Sequence, residues 1–193
     1  MSFSNRQRNA GKEKTAAAAK TKREFERLAL PLIESLFNFA CWLTRNPEEA
    51  EDLVQETYMK AWNGFETFRG DSMFRTWIFR ILRNTFLSSR KDARATRVES
   101  LDEERHEAYL PRTDETPESI LVEQASLSAI RKAVEQIPLP MREIIILREV
   151  EEMSYQEISA ILEIPIGTVM SRLARARWTL RETTLAKLGW PRR

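Results

Sequence analysis

Apolar residues return every three or four positions over most of this chain and nowhere alternate strictly with polar ones, so the pattern predicts helices and no convincing strand. From Phe25 to Thr44 the helical period holds, with Pro31 expected to start or bend a helix. The next stretch, NPEEAEDLVQETYMKAWNGF, opens with Asn46 as N-cap, Pro47 in the first turn and Glu49 spaced for a capping box. On a helical projection Leu53, Val54, Thr57, Tyr58, Ala61, Trp62 and Phe65 share one face, and Asp52, Gln55, Glu56 and Met59 the other. A third helix is predicted over residues 72–91, with Phe74, Trp77, Ile78, Ile81 and Thr85 inward. Its opposite stripe holds Thr76, Arg80, Arg83, Asn84, Leu87, Arg90 and Lys91 and is cationic.

The periodicity lapses between Asp92 and Thr116, where charge and Pro111 describe a linker. It resumes at TPESILVEQASLSAIRKAVEQI, with Thr116 and Pro117 as cap and first helical residue. The Pro-Leu-Pro at 138–140 stops that helix and starts another to about Val150. Two closely linked helices follow: SYQEISAIL, with Ser154 and Glu157 in capping-box relation, and a long one from Gly167 to Leu188. The expected fold is therefore all-α. Two small helical domains, 23–92 and 117–188, are joined by a flexible acidic linker, 93–116, with a disordered basic tail at 1–22 and a short tail at 189–193.

Charge sharpens that division. Formal net charge is only +2 in 193 residues, but residues 1–23 carry seven basic side chains and one acid, and residues 97–119 carry eight acids and three arginines. Cys41 stands alone and His106 is the single histidine, so no disulfide framework or His/Cys zinc site can be assembled; Cys41 is expected to be a buried apolar residue. No paired carboxylate, metal cluster or nucleophile constellation marks an enzyme, and no cofactor or metal is expected. Neither a long apolar run nor a signal-peptide pattern is present, which predicts a cytoplasmic chain without membrane insertion.

Two stretches carry candidate chemistry. The short helix SYQEISAIL, the turn Glu-Ile-Pro and the following basic helix have the pattern of a helix-turn-helix, with Val169, Leu173, Ala176 and Leu180 packing on Ile158 and Ile161. This leaves Thr168, Ser171, Arg172 and Arg175 outward, with Met170 and Ala174 at their margin. Gly167, at the helix entry, lets backbone N–H groups and a phosphate approach closely. In the first half, FETFRGDSMFRTWIFRILRNTFLSSRK joins a cationic helix face to a loop with Phe68, Arg69 and Gly70, residue types suited to unpaired bases. Phe65 and Trp77 are expected in the core, whereas Phe68 and Asn84 could wall a pocket for an extruded base.

The segments DLVQETYMKAW, FRGDSMFRTWIFRILRNTF and MSYQEISAILEIPIGTVMSRLARAR, in that order, resemble the extracytoplasmic-function (ECF) sigma factors of bacterial RNA polymerase over about residues 24–186. The resemblance implies a promoter-melting helical domain, a C-terminal helix-turn-helix domain, and no catalytic residues. Asp52, Gln55, Glu56 and Met59 would meet the clamp helices of the polymerase's largest subunit, with a further contact of the chain at the flap region. Phe68, Arg69, Arg80, Arg83, Asn84 and Lys91 would line the −10 strand, and Tyr155, Gln156, Thr168, Met170, Ser171, Arg172 and Arg175 the −35 groove. Promoter DNA and an anti-sigma factor complete the implied partners. Where some members carry arginine this chain has Met170, so base preference there does not transfer. The rival reading is a conventional helix-turn-helix regulator that binds duplex DNA without polymerase.

Overall fold

The computed structural model describes residues 21–68, 73–96 and 132–187, and it holds helices and no strand among them. Helix α1 (21–29) gives way to a 3-10 turn, Leu30–Leu32, before α2 (Ile33–Thr44). Pro31 explains the break, because it lacks the N–H that a continuous ladder would need there. Helix α3 (Pro47–Gly64) starts where expected: the Asn46 side chain accepts from the backbone N–H groups of Glu48 and Glu49 at 2.9 and 3.3 Å. The reciprocal half of the box is supplied otherwise, since the Asn46 N–H donates to Thr44 Oγ1 at 3.3 Å and not to Glu49. A 3-10 turn (Phe65–Thr67) and α4 (Phe74–Thr96) complete this half. Helix α4 outlasts its expected end and runs into the stretch read as linker.

The second half holds α5 (132–136), α6 (Leu139–Ile145) continuing into a π turn (Ile146–Val150), α7 (Tyr155–Leu162) and α8 (Ile166–Lys187). Pro138 and Pro140 separate α5 from α6 as the Pro-Leu-Pro predicts. The Ser154–Glu157 capping box is complete in both directions. Glu163, not a glycine, takes the left-handed conformation (φ 54°) that ends α7 and turns the chain into α8. The basic N-terminal segment up to residue 20, the acidic segment from residue 97 and the cap expected at Thr116 and Pro117 lie outside the described residues.

Apolar burial joins α2, α3 and α4 through Leu36, Phe39, Leu43, Leu53, Ile78 and Leu82, and joins α6, α7 and α8 through Ile144, Leu147, Ile158, Ile161, Val169 and Leu173. At the tip of the first half, Phe25 meets Tyr58, Trp62, Phe65 and Phe74 edge to face, at centroid distances of 5.2–6.4 Å. Tyr58 donates its hydroxyl to the Ala29 carbonyl at 2.6 Å, and burial pushes its pKa up to about 12.

The two halves do not stand apart. Helix α4 packs against α7 and α2 against α6, so the buried residues form one continuous core. This corrects the reading of α4. Of the expected stripe it buries Phe74, Ile78 and Thr85 but leaves Trp77 and Ile81 half-buried, and it also buries Thr76, Phe79, Leu82 and Phe86, since α2 packs on it within the first half (Phe39 to Phe79, 5.5 Å) and α7 lies along it from the second. Trp62, placed inward by periodicity, is the converse case and is exposed.

Candidate nucleic-acid interface

Asp52, Gln55, Glu56 and Met59 lie exposed along one side of α3. Glu56 pairs with Lys60 at 2.7 Å, an exposed pair one helical turn apart that contributes little to stability. Met59 keeps 67% of its surface in solvent, an unusual outlay for an apolar side chain in a carboxylate-rich stripe and one suited to a protein partner.

On α4, Asn84 and Lys91 are exposed and Arg80 is half-buried. Arg83 is not open: its Nε donates to Glu143 Oε1 of α6 at 3.0 Å, and only 14% of its side chain is exposed. Phe68 is half-buried, stacked on Phe65 (6.3 Å), edge-on to Phe74 (5.6 Å) and tilted against Trp77 (5.1 Å). Only its remaining face could meet a base. Arg69 lies outside the described residues.

In the helix-turn-helix, Val169, Leu173 and Ala176 are buried with Ile158 and Ile161, as the spacing predicts. Met170, Ser171 and Arg175 are exposed on α8, Thr168 and Arg172 are half-buried beside them, and Gln156 is exposed on α7. Tyr155 is half-buried under the Arg148 guanidinium, 5.3 Å from its ring centre. Arg177 is engaged by the chain itself, donating twice to Glu149 Oε1 at 2.7 and 2.9 Å. A Cβ on Gly167 would meet nothing within 4 Å, so no contact inside the fold demands glycine there.

Four charged residues that the helical patterns did not single out lie between the halves. Arg142 is buried with its guanidinium donating to the Trp42, Glu135 and Ile137 carbonyls at 3.0–3.1 Å, so one cation serves carbonyls at the C-terminal ends of α2 and α5. Burial, and then Arg45, lower its pKa to about 10, which leaves it charged at neutral pH. Glu143 and Glu151, both buried, meet Arg83 and Arg75 at 3.0 and 2.7 Å. Desolvation raises both carboxyl pKa values against the pull of those arginines. One signal was available in the sequence: an Arg-Glu pair set directly against Ile144–Leu147 has no reason to sit there unless both charges find partners.

Among the described residues no group of three or more His, Cys, Asp and Glu side chains could hold a metal, and no helix is long and apolar enough to cross a membrane. Described residues that are helical throughout the two halves, with a basic helix-turn-helix in one and a cationic helix in the other, have the make-up of nucleic-acid-reading proteins. Residues 31–96 match Sigma-70 region 2 and residues 127–180 match Sigma-70 region 4. The chain is 32% identical over 162 residues to the RNA polymerase sigma-H factor of Pseudomonas aeruginosa, covering 81% of this chain and 83% of that protein. It is 34% identical over 134 residues to the ECF RNA polymerase sigma-E factor of Escherichia coli, covering 67% and 70%. Among solved structures, the sigma factor RpoE in complex with the anti-sigma factor NepR from Bartonella quintana aligns at a TM-score of 0.65 and 32% identity, over 83% of this chain and 96% of that one. CnrH, solved with the cytosolic domain of CnrY, shares the fold at a TM-score of 0.63 and 24% identity, over 89% and 94%. The chain belongs to the extracytoplasmic-function sigma factors of bacterial RNA polymerase.

Proposed function

We propose that this sigma factor docks on core RNA polymerase through the exposed α3 stripe of Asp52, Gln55, Glu56 and Met59, and carries the enzyme to promoters with its two halves reading different forms of DNA. The region 2 half would take the −10 element as an opened single strand along Phe68, Arg69, Arg80, Arg83, Asn84 and Lys91. The helix-turn-helix would take the −35 element as duplex, with Tyr155, Gln156, Thr168, Met170, Ser171, Arg172 and Arg175 at the major groove. Domain limits of 23–92 and 117–188 and an acidic tether of 93–116 follow the same reading.

The observation that supports it most is the outward row of α8. Met170, Ser171 and Arg175 are exposed behind a helix entry where Gly167 leaves the backbone open, so an anion could approach the first-turn N–H groups while side chains reach base edges. Arginine offers a planar pair of donors to guanine, and the Met170 thioether chain offers an apolar surface to a thymine methyl. Melting needs no ATP in this scheme, since capture of bases that open spontaneously stabilises the bubble. By likeness to the Bartonella protein, an anti-sigma factor would hold the chain inactive until a signal releases it.

Run-off transcription tests the proposal. Purified core polymerase with and without the chain, on a panel of promoter fragments, should give discrete transcripts only when the chain is present. Duplex binding by the chain alone, with no effect on polymerase, would favour a free-standing regulator.

A further inference from the structure

Lys60 belongs to neither stripe of α3, yet it ties the polymerase-docking face to the helix assigned to the −10 strand, and we propose that its ammonium holds a phosphate of that strand beside Asn84. The inference rests on the proposed function for the paths of polymerase and strand. Lys60 Nζ lies 2.7 Å from Glu56 Oε1 on its own helix and donates to Thr85 Oγ1 of α4 at 3.2 Å. That second bond crosses from one helix to the other and fixes the ammonium at the mouth of the groove between them. Thr85 itself is buried, whereas 48% of the Lys60 side chain stays in solvent. On a helical projection Ser88 and then Asn84 follow Thr85 on one side of α4, and both are exposed. The cation therefore sits at the edge of the sector that offers Asn84 to a base.

Donor arithmetic leaves room for a ligand. An ammonium has three N–H groups, and Glu56 and Thr85 account for two. The pair with Glu56 is exposed and weak, so it does little to hold the cation back. When Glu56 turns to the polymerase, the anion that would repel a phosphate is drawn off, and Thr85 keeps the ammonium in place. Among the cations already assigned to the strand, Arg83 spends its Nε on Glu143, Arg80 is half-buried, and Lys91 lies seven residues beyond Asn84, about 10 Å along the helix. A base captured at Asn84 brings its own phosphate with it. A compact, rotatable ammonium can meet that charge without the fixed geometry an arginine fork requires.

The test uses the full chain bound to core polymerase and a promoter fragment left unpaired at the −10 element, with affinity measured over a series of salt concentrations. Lys60→Gln should weaken binding roughly tenfold, the low end for a hydrogen bond to a charged group. The plot of log affinity against log salt should become shallower by about 0.7, the share of one single-strand phosphate. Lys60→Arg should restore both, since it keeps the charge. An unchanged salt slope in Lys60→Gln would overturn the inference even if affinity fell, because a lysine that merely braces Thr85 releases no counterion. So would an equal loss on a duplex fragment carrying only the −35 element, which would trace the effect to docking or folding. Failure of the unsubstituted chain to support polymerase on any promoter would instead strike at the reading beneath it.

Discussion

Two helix faces in this sigma factor look alike in sequence and have opposite fates in the fold. The outer face of α8 carries Ser171 and Arg175 in solvent, with Arg172 half-buried beside them; the polar face of α4 carries Arg75, Arg80 and Arg83, all half-buried, with Glu143 and Glu151 of the other half opposite two of these arginines. A period of 3.6 residues tells which side of a helix is polar, but not whether that side meets water or another body. The distinction lies in the complement. Arg75 and Arg83 each meet a buried carboxylate, whereas Arg175 on α8 is left exposed for a partner from outside.

The sharpest way to break the comparison is to remove one member of a covered pair and one residue of the open face. Glu143→Ala should leave Arg83 uncompensated and cost about 3–5 kcal/mol if the seam stays closed, less if opening relieves it. Chemical denaturation of the two chains reads this difference directly. Arg175→Ala should leave stability within about 0.5 kcal/mol, as for most surface substitutions. In promoter binding the order reverses: Arg175→Ala should cost about 1–3 kcal/mol and relax preference at one −35 position. Equal stability loss from both substitutions would erase the distinction between the faces.

Asn84 sharpens the picture within α4 itself, since it stays exposed while Arg83 beside it is covered. If Asn84 captures an opened base, Asn84→Ala should weaken open-complex formation on a duplex promoter by up to a few kcal/mol. On a promoter already melted at the −10 element the loss should be smaller, because the unstacking cost has been removed in advance. Equal losses on both templates would mean that the residue does not contribute through capture.

A smaller effect is expected at the cap that sets α7 against α4. The Ser154 side chain and backbone hold the Glu157 carboxyl below its ordinary 4.5, through bonds of 2.7 and 2.8 Å. A depressed carboxyl pKa contributes stability that is present above the unfolded value and lost as pH falls through the folded one. Ser154→Ala should therefore cost about 1 kcal/mol at pH 7, and the gap to the parent chain should narrow as the pH falls below 4.5.

Local devices were legible in the sequence because their causes lie within a few residues. Asn46 announces α3, Pro31 divides α1 from α2, and Ser154 with Glu157 opens α7, each by a bond or a missing bond close at hand. The helix-turn-helix was legible for the same reason, as its two helices are sequence neighbours. What escaped was set at long range. Burial of Phe79 against Phe39 of α2, and the pairing of Arg83 with Glu143 sixty positions away, depend on how separate helices meet, which no period within one helix encodes. Phe68 illustrates the middle case. Its type suggested a base-stacking wall, and the fold gives it three aromatic neighbours that already claim most of its surface.

The open face admits a final, gentler probe at Gly167, where the fold and the proposed ligand make opposite demands. Alanine there would meet no atom within 4 Å, and the position shows no left-handed backbone, so the free protein should lose nothing and gain at most about 1 kcal/mol from the better helix former. A phosphate seated on the first-turn N–H groups of α8 would meet the new methyl group at once. Gly167→Ala should thus raise the denaturation midpoint slightly while weakening −35 duplex binding, the two measurements moving apart in one chain. Were both to rise or stay level, the glycine would have no part in receiving the backbone of DNA, and the openness of α8 would be a property of the fold without a use at that residue.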